Sequence, residues 1–270
     1  MRIALTGASG LVGRFVAQAL AAAGHQVDPL PGWRLGRPAA LDGADALVHA
    51  AFSHVPGRYR GGEGDDPAGF VALNRDGSLQ LLQEARAAGV GQAVFLSSRA
   101  VYDALPAGTP LPDGTGAAAE SLYGRIKAEV EDGLAALVAP GFAPASIRAT
   151  GIYGPGPGHK WAGLFADYRA GRPVPPCRGT ELHGGDLAAA VLLVLGARGQ
   201  GSFNASDLLV DRHDLLAEVR RLTGSPHPLP PRADTPVSVM SCERLAALGW
   251  RPRGMDGLRA ALPAMLDSGG

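Results

Sequence analysis

A doubly wound α/β fold on a parallel sheet is what this sequence predicts, on three observations. Short apolar runs alternate with segments of helical periodicity, a glycine-rich turn joins the first run to the first helix, and glycine or proline closes most segments. RIALT is a strand that stops at Gly7, and the run after it carries Leu11, Val12, Phe15, Val16, Ala19 and Leu20 at helical spacing up to Gly24. HQVDPL and ALVHAAF read as the second and third strands, with too little chain between them for a full crossover helix. A long helix is expected over residues 67–88, where Phe70, Leu73, Leu81 and Ala85 give a broken apolar face before Gly89. The strand QAVFLSS follows, then a loop over 104–118. SLYGRIKAEVEDGLAALVA is a helix with Leu122, Ile126, Val130, Leu134 and Leu137 on one face, ended by Pro140 and Gly141. ASIRA is a strand, and GIYGPGPGH leaves the regular pattern. Helices near 187–195 and 214–222 flank a short strand at GSFNAS, and a proline-dense tail with LGWRP completes the chain.

The 270 residues suffice for one large α/β unit with a smaller appendage. Residues 1–155, with a returning segment at about 180–206, are expected to form the sheet domain, and about 156–179 with 207–270 a small C-terminal cap. Acidic and basic residues balance at 25 each, which gives no electrostatic footprint for nucleic acid or an anionic membrane and makes a small molecule the expected partner. No run reaches the roughly eighteen apolar residues of a membrane span, and MRIALTGASG enters the fold directly without a cleavable leader, so a cytoplasmic protein is expected. Cys177 and Cys242 read as free thiols without metal-ligand spacing. Lys127 and Lys160 are the only lysines, so either invites a specific explanation.

Three motifs carry chemistry. In TGASGLVG, Gly7, Gly10 and Gly13 follow the pattern GxxGxxG; with 39 glycines in the chain the spacing alone is weak, but it follows a strand and opens a helix, as phosphate binding at a helix N-terminus requires. That places a dinucleotide at the carboxyl ends of a Rossmann-type sheet, against the alternative of a purely structural turn. In YGRIK, the spacing of four puts Tyr123 and Lys127 on one helix face, where the ammonium favours the phenolate and brings it into range as a general acid/base. Ser97 and Ser98 end a strand that opens onto the same crevice, where a hydroxyl can hold a substrate oxygen against Tyr123.

TGASGLVG, SSRAVYD at 97–103, YGRIK at 123–127, GIYGPG at 151–156 and LHGGDLAAAV at 182–191 together resemble, in order and spacing, the NAD-dependent epimerase/dehydratase family of extended short-chain dehydrogenases/reductases, over residues 1 to about 210. The resemblance implies Ser98, Tyr123 and Lys127 as the catalytic set. It implies cofactor contacts at Gly7, Ser9, Gly10, Leu11, Val12, Arg34, Ala50, Ala51, Asn74 and Lys127, and substrate contacts at Ser98, Arg99, Tyr153 and His54. Asn74, in NRDGS, matches the family's asparagine-glycine helix motif. Arg99 and Ala100 stand where dehydratases carry an acidic pair, so dehydratase chemistry is not expected, and the short chain favours a substrate smaller than a nucleotide sugar.

The expected activity is therefore NAD(P)-dependent oxidation or reduction of a hydroxyl or carbonyl carbon. A nucleotide-sugar epimerase with tightly bound NAD and a non-enzymatic nucleotide sensor are the alternatives, the latter disfavoured because Tyr123 is retained. Pro31 replaces the acid that binds an adenosine ribose, and Arg14, Arg34 and Arg37 lie nearby in sequence, which favours NADP(H) over NAD(H), with Asp28 as the opposing carboxylate. The helices at 67–88 and 121–138 suggest a homodimer, as pairs of this kind do in the family. Loop residues His54, Arg58, Tyr59 and Arg60 face the expected crevice, His49 is expected to be packed in its strand, His183 and Asp186 to be structural, and His159, Lys160 and Trp161 to offer a lid.

Overall fold

The computed structural model describes residues 1–55 and 62–267. In chain order the elements are β1 (Arg2–Thr6), α1 (Leu11–Ala22), β2 (Gln26–Asp28), β3 (Ala46–His49), α2 (Pro67–Val71), a π-helical segment (Ala72–Asp76), α3 (Gly77–Ala87), β4 (Gln92–Ser98), a 3₁₀ turn (Arg99–Tyr102), α4 (Leu122–Ala135), β5 (Ala143–Ala149), β6 (Gly151–Tyr153), α5 (Ala162–Arg169), β7 (Arg178–His183), α6 (Gly184–Gly196), β8 (Gly201–Ala205), β9 (Leu208–Asp211), α7 (Arg212–Thr223), α8 (Glu243–Ala247) and α9 (Gly254–Asp267).

Six strands form a sheet in the order β2-β1-β3-β4-β5-β8, all neighbours parallel. Its side chains alternate between two cores, as a strand's period of two requires. Ile3, Leu5, Val48, Val94 and Leu96 join Val16 and Leu20 of α1 and the apolar face of α6. Ala4, Leu47, Ala93 and Phe95 join Leu81 and Leu82 of α3 and Val130 and Leu134 of α4. Cutting a fully buried leucine such as Leu47 to alanine in such a core costs about 2–5 kcal/mol. The strand order reverses between β1 and β3, and that switch point opens a crevice at the strands' carboxyl ends.

The helix expected over 67–88 forms, but as two α-helices joined through the π-helical turn that contains Asn74. The second strand is shorter than HQVDPL because Leu30 turns into the left-handed region, with φ 46°. Residues 29–45 cross from β2 to β3 without a helix, as their length dictates.

A second sheet, β6-β7-β9, is absent from the sequence expectation. Its strands are short, and β6 and β7 pair in parallel across sequence-distant segments, so no local periodicity announces them. On it rests a third core of Tyr153, Trp161, Phe165 and Tyr168 with the apolar faces of α7 and α9.

Candidate active site

The turn after β1 depends on glycine at two positions. Gly7 has φ +69°, and a Cβ there would lie 2.7 Å from the Ala51 amide nitrogen; a Cβ on Gly13 would overlap the Gly7 carbonyl oxygen. Their absence lets α1 and the end of β3 close on the turn, leaving the N-terminal amides of α1 facing the crevice. Beside this turn lies a cavity of about 510 Å³ lined by Gly7, Ser9, Leu30, Arg34, Ala51 and Phe52, among others. Gly10 is the N-cap of α1, with Leu11 and Val12 as its first helical residues. The cradle that a Cβ would fill, the helix N-terminus and the cavity together fit a dinucleotide.

A buried hydrogen-bond chain holds the floor of this crevice. Thr6 Oγ1 accepts from the Ala50 and Ala51 amides, both at 3.2 Å, and lies 2.7 Å from His49 Nδ1. His49 Nε2 is 2.9 Å from Ser78 Oγ, which donates to the Asn74 carbonyl at 2.6 Å. With the Ser78 proton committed, His49 donates through Nε2 and accepts the Thr6 hydroxyl at Nδ1. Burial, with the nearby Lys127 charge, lowers the His49 pKa to about 3, so the ring is neutral and packed, as expected. Asn74 grips the loop after β3: Oδ1 accepts from the Ser53 amide at 2.7 Å, and Nδ2 donates to the Ser53 and Phe70 carbonyls at 2.8 and 3.0 Å. In this structure Asn74 thus shapes the cavity wall, and the π-helical turn is what aims it.

The three residues expected to form the catalytic set lie on β4 and α4. Ser98 ends β4 and its Oγ accepts from the Ala100 amide at 3.1 Å, starting the 3₁₀ turn. Ser121 caps α4 by accepting from the Gly124 amide at 3.0 Å. A Cβ on Gly124 would overlap the Ala100 carbonyl oxygen, so glycine at that position lets α4 start against the turn that follows Ser98. Tyr123 is half-buried, edge-on to Phe52 with ring centroids 5.0 Å apart. Lys127 is 4% exposed; its Nζ lies 4.6 Å from the Phe52 ring centroid and 4.5 Å from that of Phe95, 5.8 Å from that of Tyr123, and donates to the Leu96 carbonyl at 2.7 Å. This apolar cage strips water from the ammonium, and burial brings its pKa down to about 7, against an upward pull from Glu131.

Other expected site residues lie elsewhere. Tyr153 is a correction: it is fully buried in the third core, stacked on Trp161 at 5.0 Å, and the same burial raises its phenol well above the ordinary range, so it offers no surface to a substrate. The lid is likewise corrected. His159 is buried on the Met265 carbonyl, Trp161 is buried beside Tyr153, and Lys160 pairs with Glu181 at 2.5 Å. Arg99 donates to the Ser238 carbonyl at 2.8 Å, which ties the 3₁₀ turn to the C-terminal segment. His54 Nδ1 lies 2.8 Å from the Val55 carbonyl; Arg58, Tyr59 and Arg60 lie outside the described residues. Arg14 packs its guanidinium on Gly156, where a Cβ would come within 2.8 Å of it, and it does not line the cavity that holds Arg34. Asp28 is engaged by Arg2 at 3.0 Å. His183 caps α6 and Asp186 pairs with Arg253 at 2.9 Å, both structural as expected.

Sequence reasoning missed Phe52, whose ring packs against both Tyr123 and the Lys127 ammonium; it reads as the last residue of the expected strand ALVHAAF, but β3 ends at His49. It also missed Glu131 and Arg148, a buried pair behind Lys127, although Glu131 continues the four-residue spacing of Tyr123 and Lys127.

The chain is similar to proteins of known activity over nearly its whole length. It is 28% identical over 309 aligned residues to a UDP-glucose 4-epimerase of Streptomyces lividans, covering 93% of this chain and 92% of that protein. It is 26% identical to a dTDP-4-dehydrorhamnose reductase of Mycolicibacterium smegmatis, covering 98% and 88%. The fold matches the structure of RMD from Pseudomonas aeruginosa complexed with NADPH, with a TM-score of 0.78 at 24% identity over 99% of this chain and 97% of that one. Residues 35–206 match the profile of the NAD dependent epimerase/dehydratase family, and with the glycine turn, the parallel sheet and the convergence of β4 on α4 in place, the chain belongs to that family of enzymes.

Proposed function

We propose that the protein is a nicotinamide-dependent oxidoreductase acting on a hydroxyl or carbonyl carbon of a small, sugar-like substrate. The observation that carries this reading is Lys127 caged beneath Phe52 on the same helix face as Tyr123, at the end of the strand that presents Ser98. Ser98 orients the substrate oxygen by hydrogen bonding. Tyr123 gives or takes the proton on that oxygen, and the Lys127 ammonium stabilises its phenolate. Gly7, Ser9 and Gly10, whose own amide closes the turn on the Gly7 carbonyl at 3.0 Å, let the diphosphate approach the amides of Leu11 and Val12, while Ala50, Ala51 and Arg34 flank the adenosine end. The bound nicotinamide supplies or accepts the hydride.

Arg34 on the exposed cavity rim, with Asp28 already engaged by Arg2, supports NADP(H) over NAD(H). Residues 156–179 and 207–270 serve in this reading as the substrate cap, and α3 with α4 as a homodimer face, which light scattering at micromolar concentration tests. Small size and charge balance favour cytoplasmic action on a small molecule, without nucleic acid or membrane as partner; among the described residues no helix is long and apolar enough to cross a membrane.

The similarity to a UDP-glucose 4-epimerase favours a second reading, in which one carbon is oxidised and re-reduced without net use of cofactor. The test for both is a panel of sugars, uronic acids, ketones and nucleotide sugars, assayed for a change in nicotinamide absorbance with each cofactor and for epimeric product. Net absorbance change supports the oxidoreductase, epimeric product without it supports the epimerase, and neither with any member overturns both.

A further inference from the structure

The proposed chemistry uses Lys127 but leaves unexplained the charged pair buried behind it. Glu131 stands one turn beyond Lys127, so Tyr123, Lys127 and Glu131 follow one another along one face of α4. Glu131 is 6% exposed and Arg148, on β5, is 7% exposed. Arg148 Nε donates to both Glu131 oxygens at 3.1 and 2.9 Å, and Nη2 donates to Oε2 at 2.6 Å. Nη1 donates to the Tyr102 hydroxyl at 2.6 Å and to the Thr115 carbonyl at 2.8 Å. The Tyr102 hydroxyl in turn donates to Asn204 Oδ1 at 2.9 Å. The carboxylate is therefore fixed by Arg148, while the Lys127 ammonium donates to the Leu96 carbonyl.

A buried ion pair is poor evidence for stability, because apolar residues of the same volume stabilise a core equally well or better. Its position suggests another purpose. Among the described residues, the charged and titratable groups around Lys127 are Tyr123 and Glu131 of α4, neutral His49 of β3, and, paired with Glu131, Arg148 of β5 with Tyr102 of the 3₁₀ turn. Glu131 is the one anion in this set.

We propose that Glu131, locked by Arg148, is a positioning residue that keeps Lys127 protonated inside its apolar cage and thereby keeps the Tyr123 phenol acidic. The inference rests on the reading of Tyr123 and Lys127 as the proton-handling pair. Burial favours the neutral amine, and the fixed carboxylate opposes it. Without the carboxylate the ammonium loses its proton at lower pH, and at neutral pH the phenol loses the cation that favours its ionisation. Arg148 contributes by holding the carboxylate in place through three hydrogen bonds.

The chain's two lysines make this measurable without a substrate. In full-length protein labelled with [¹³Cε]lysine, Lys160→Arg identifies the Lys127 signal, whose shift reports its titration. Glu131→Gln is expected to lower the Lys127 midpoint by about one pH unit or more, and Glu131→Asp, which keeps the charge, to recover most of it. If Glu131→Gln fails to fold because Arg148 is left unpaired, the double change Glu131→Gln with Arg148→Gln removes both charges and is expected to lower the midpoint in the same direction. Tyrosinate absorbance, taken as a difference from Tyr123→Phe in each background, is expected to show Tyr123 ionising at higher pH once the carboxylate is gone. A Lys127 midpoint unchanged in a folded variant lacking the carboxylate, or Tyr123 ionisation that stays put while the Lys127 midpoint falls, overturns the proposal. Undiminished turnover in Tyr123→Phe would instead defeat the underlying site reading while leaving the Lys127 titration as measured.

Discussion

At the β4–α4 end of the crevice the charged groups are buried and held from several sides, whereas at the β1–β2 end they stand on a loop in water. Lys127 is enclosed by two aromatic rings and a backbone carbonyl, and Glu131 and Arg148 are locked to each other. Arg34 and Arg37 are exposed on residues 29–45, which contain no helix or strand. A charge in a low-dielectric cage acts strongly on its neighbours and costs folding energy; a charge on a wet loop does little of either until a ligand arrives. In the proposed reading this is a division of labour, with proton chemistry at the buried end and cofactor choice at the exposed one.

The sharpest way to break this comparison is Lys127→Met. Turnover is expected to fall by about two orders of magnitude or more, and nicotinamide affinity by about tenfold, while stability at pH 7 rises by about 1 kcal/mol. The sign follows from linkage. The folded-state pKa of Lys127 is depressed to about 7, so keeping the group costs stability below that pH, and the cost fades as pH rises toward the unfolded value near 10.5. Urea unfolding of both proteins checks it, and a less stable Lys127→Met would show that the cage is not under electrostatic load.

A smaller effect concerns pH and the same buried end. His49 has a folded pKa of about 3 against an unfolded value of 6.5, so its contribution to stability is full above pH 6.5 and is lost as pH falls toward 3. Between pH 6.5 and 5 that amounts to about 2 kcal/mol, and His49→Gln should flatten the slope of stability with pH by that much. An unchanged slope would place the acid sensitivity elsewhere, for instance at His183, whose pKa burial lowers to about 4.

The smallest effect belongs to the loop. Arg34→Ala with Arg37→Ala is expected to weaken NADPH binding by about tenfold, equivalent to about 1.4 kcal/mol, to leave NADH binding unchanged, and to shift stability by less than about 0.5 kcal/mol. Fluorescence titration decides it; tighter NADH binding that persists in the double variant would reverse the cofactor preference.

What the sequence disclosed follows the same division. The glycine turn and the Tyr123–Lys127 spacing were legible because each works through residues adjacent in the chain or on one helical turn. The doubly wound sheet was legible from the alternation of apolar runs with helical segments. Tyr153 was misplaced because its burial depends on β6 pairing with β7, two segments far apart in sequence whose short strands carry no strong pattern. Phe52 and the Glu131–Arg148 pair escaped for the same reason: each acquires its role only when β3, α4 and β5 are brought together. The π-helical turn that aims Asn74 has no local signature, since the residues around it read as ordinary helix.

The central claim is that Tyr123 moves the proton while the rest of the crevice holds the reactants. It is tested most directly by measuring turnover and nicotinamide affinity of Tyr123→Phe on whichever member of the substrate panel the unaltered protein converts. Turnover lower by about 10²–10⁴-fold with cofactor affinity retained is the predicted result, and near-normal turnover in a folded, cofactor-binding variant would contradict it.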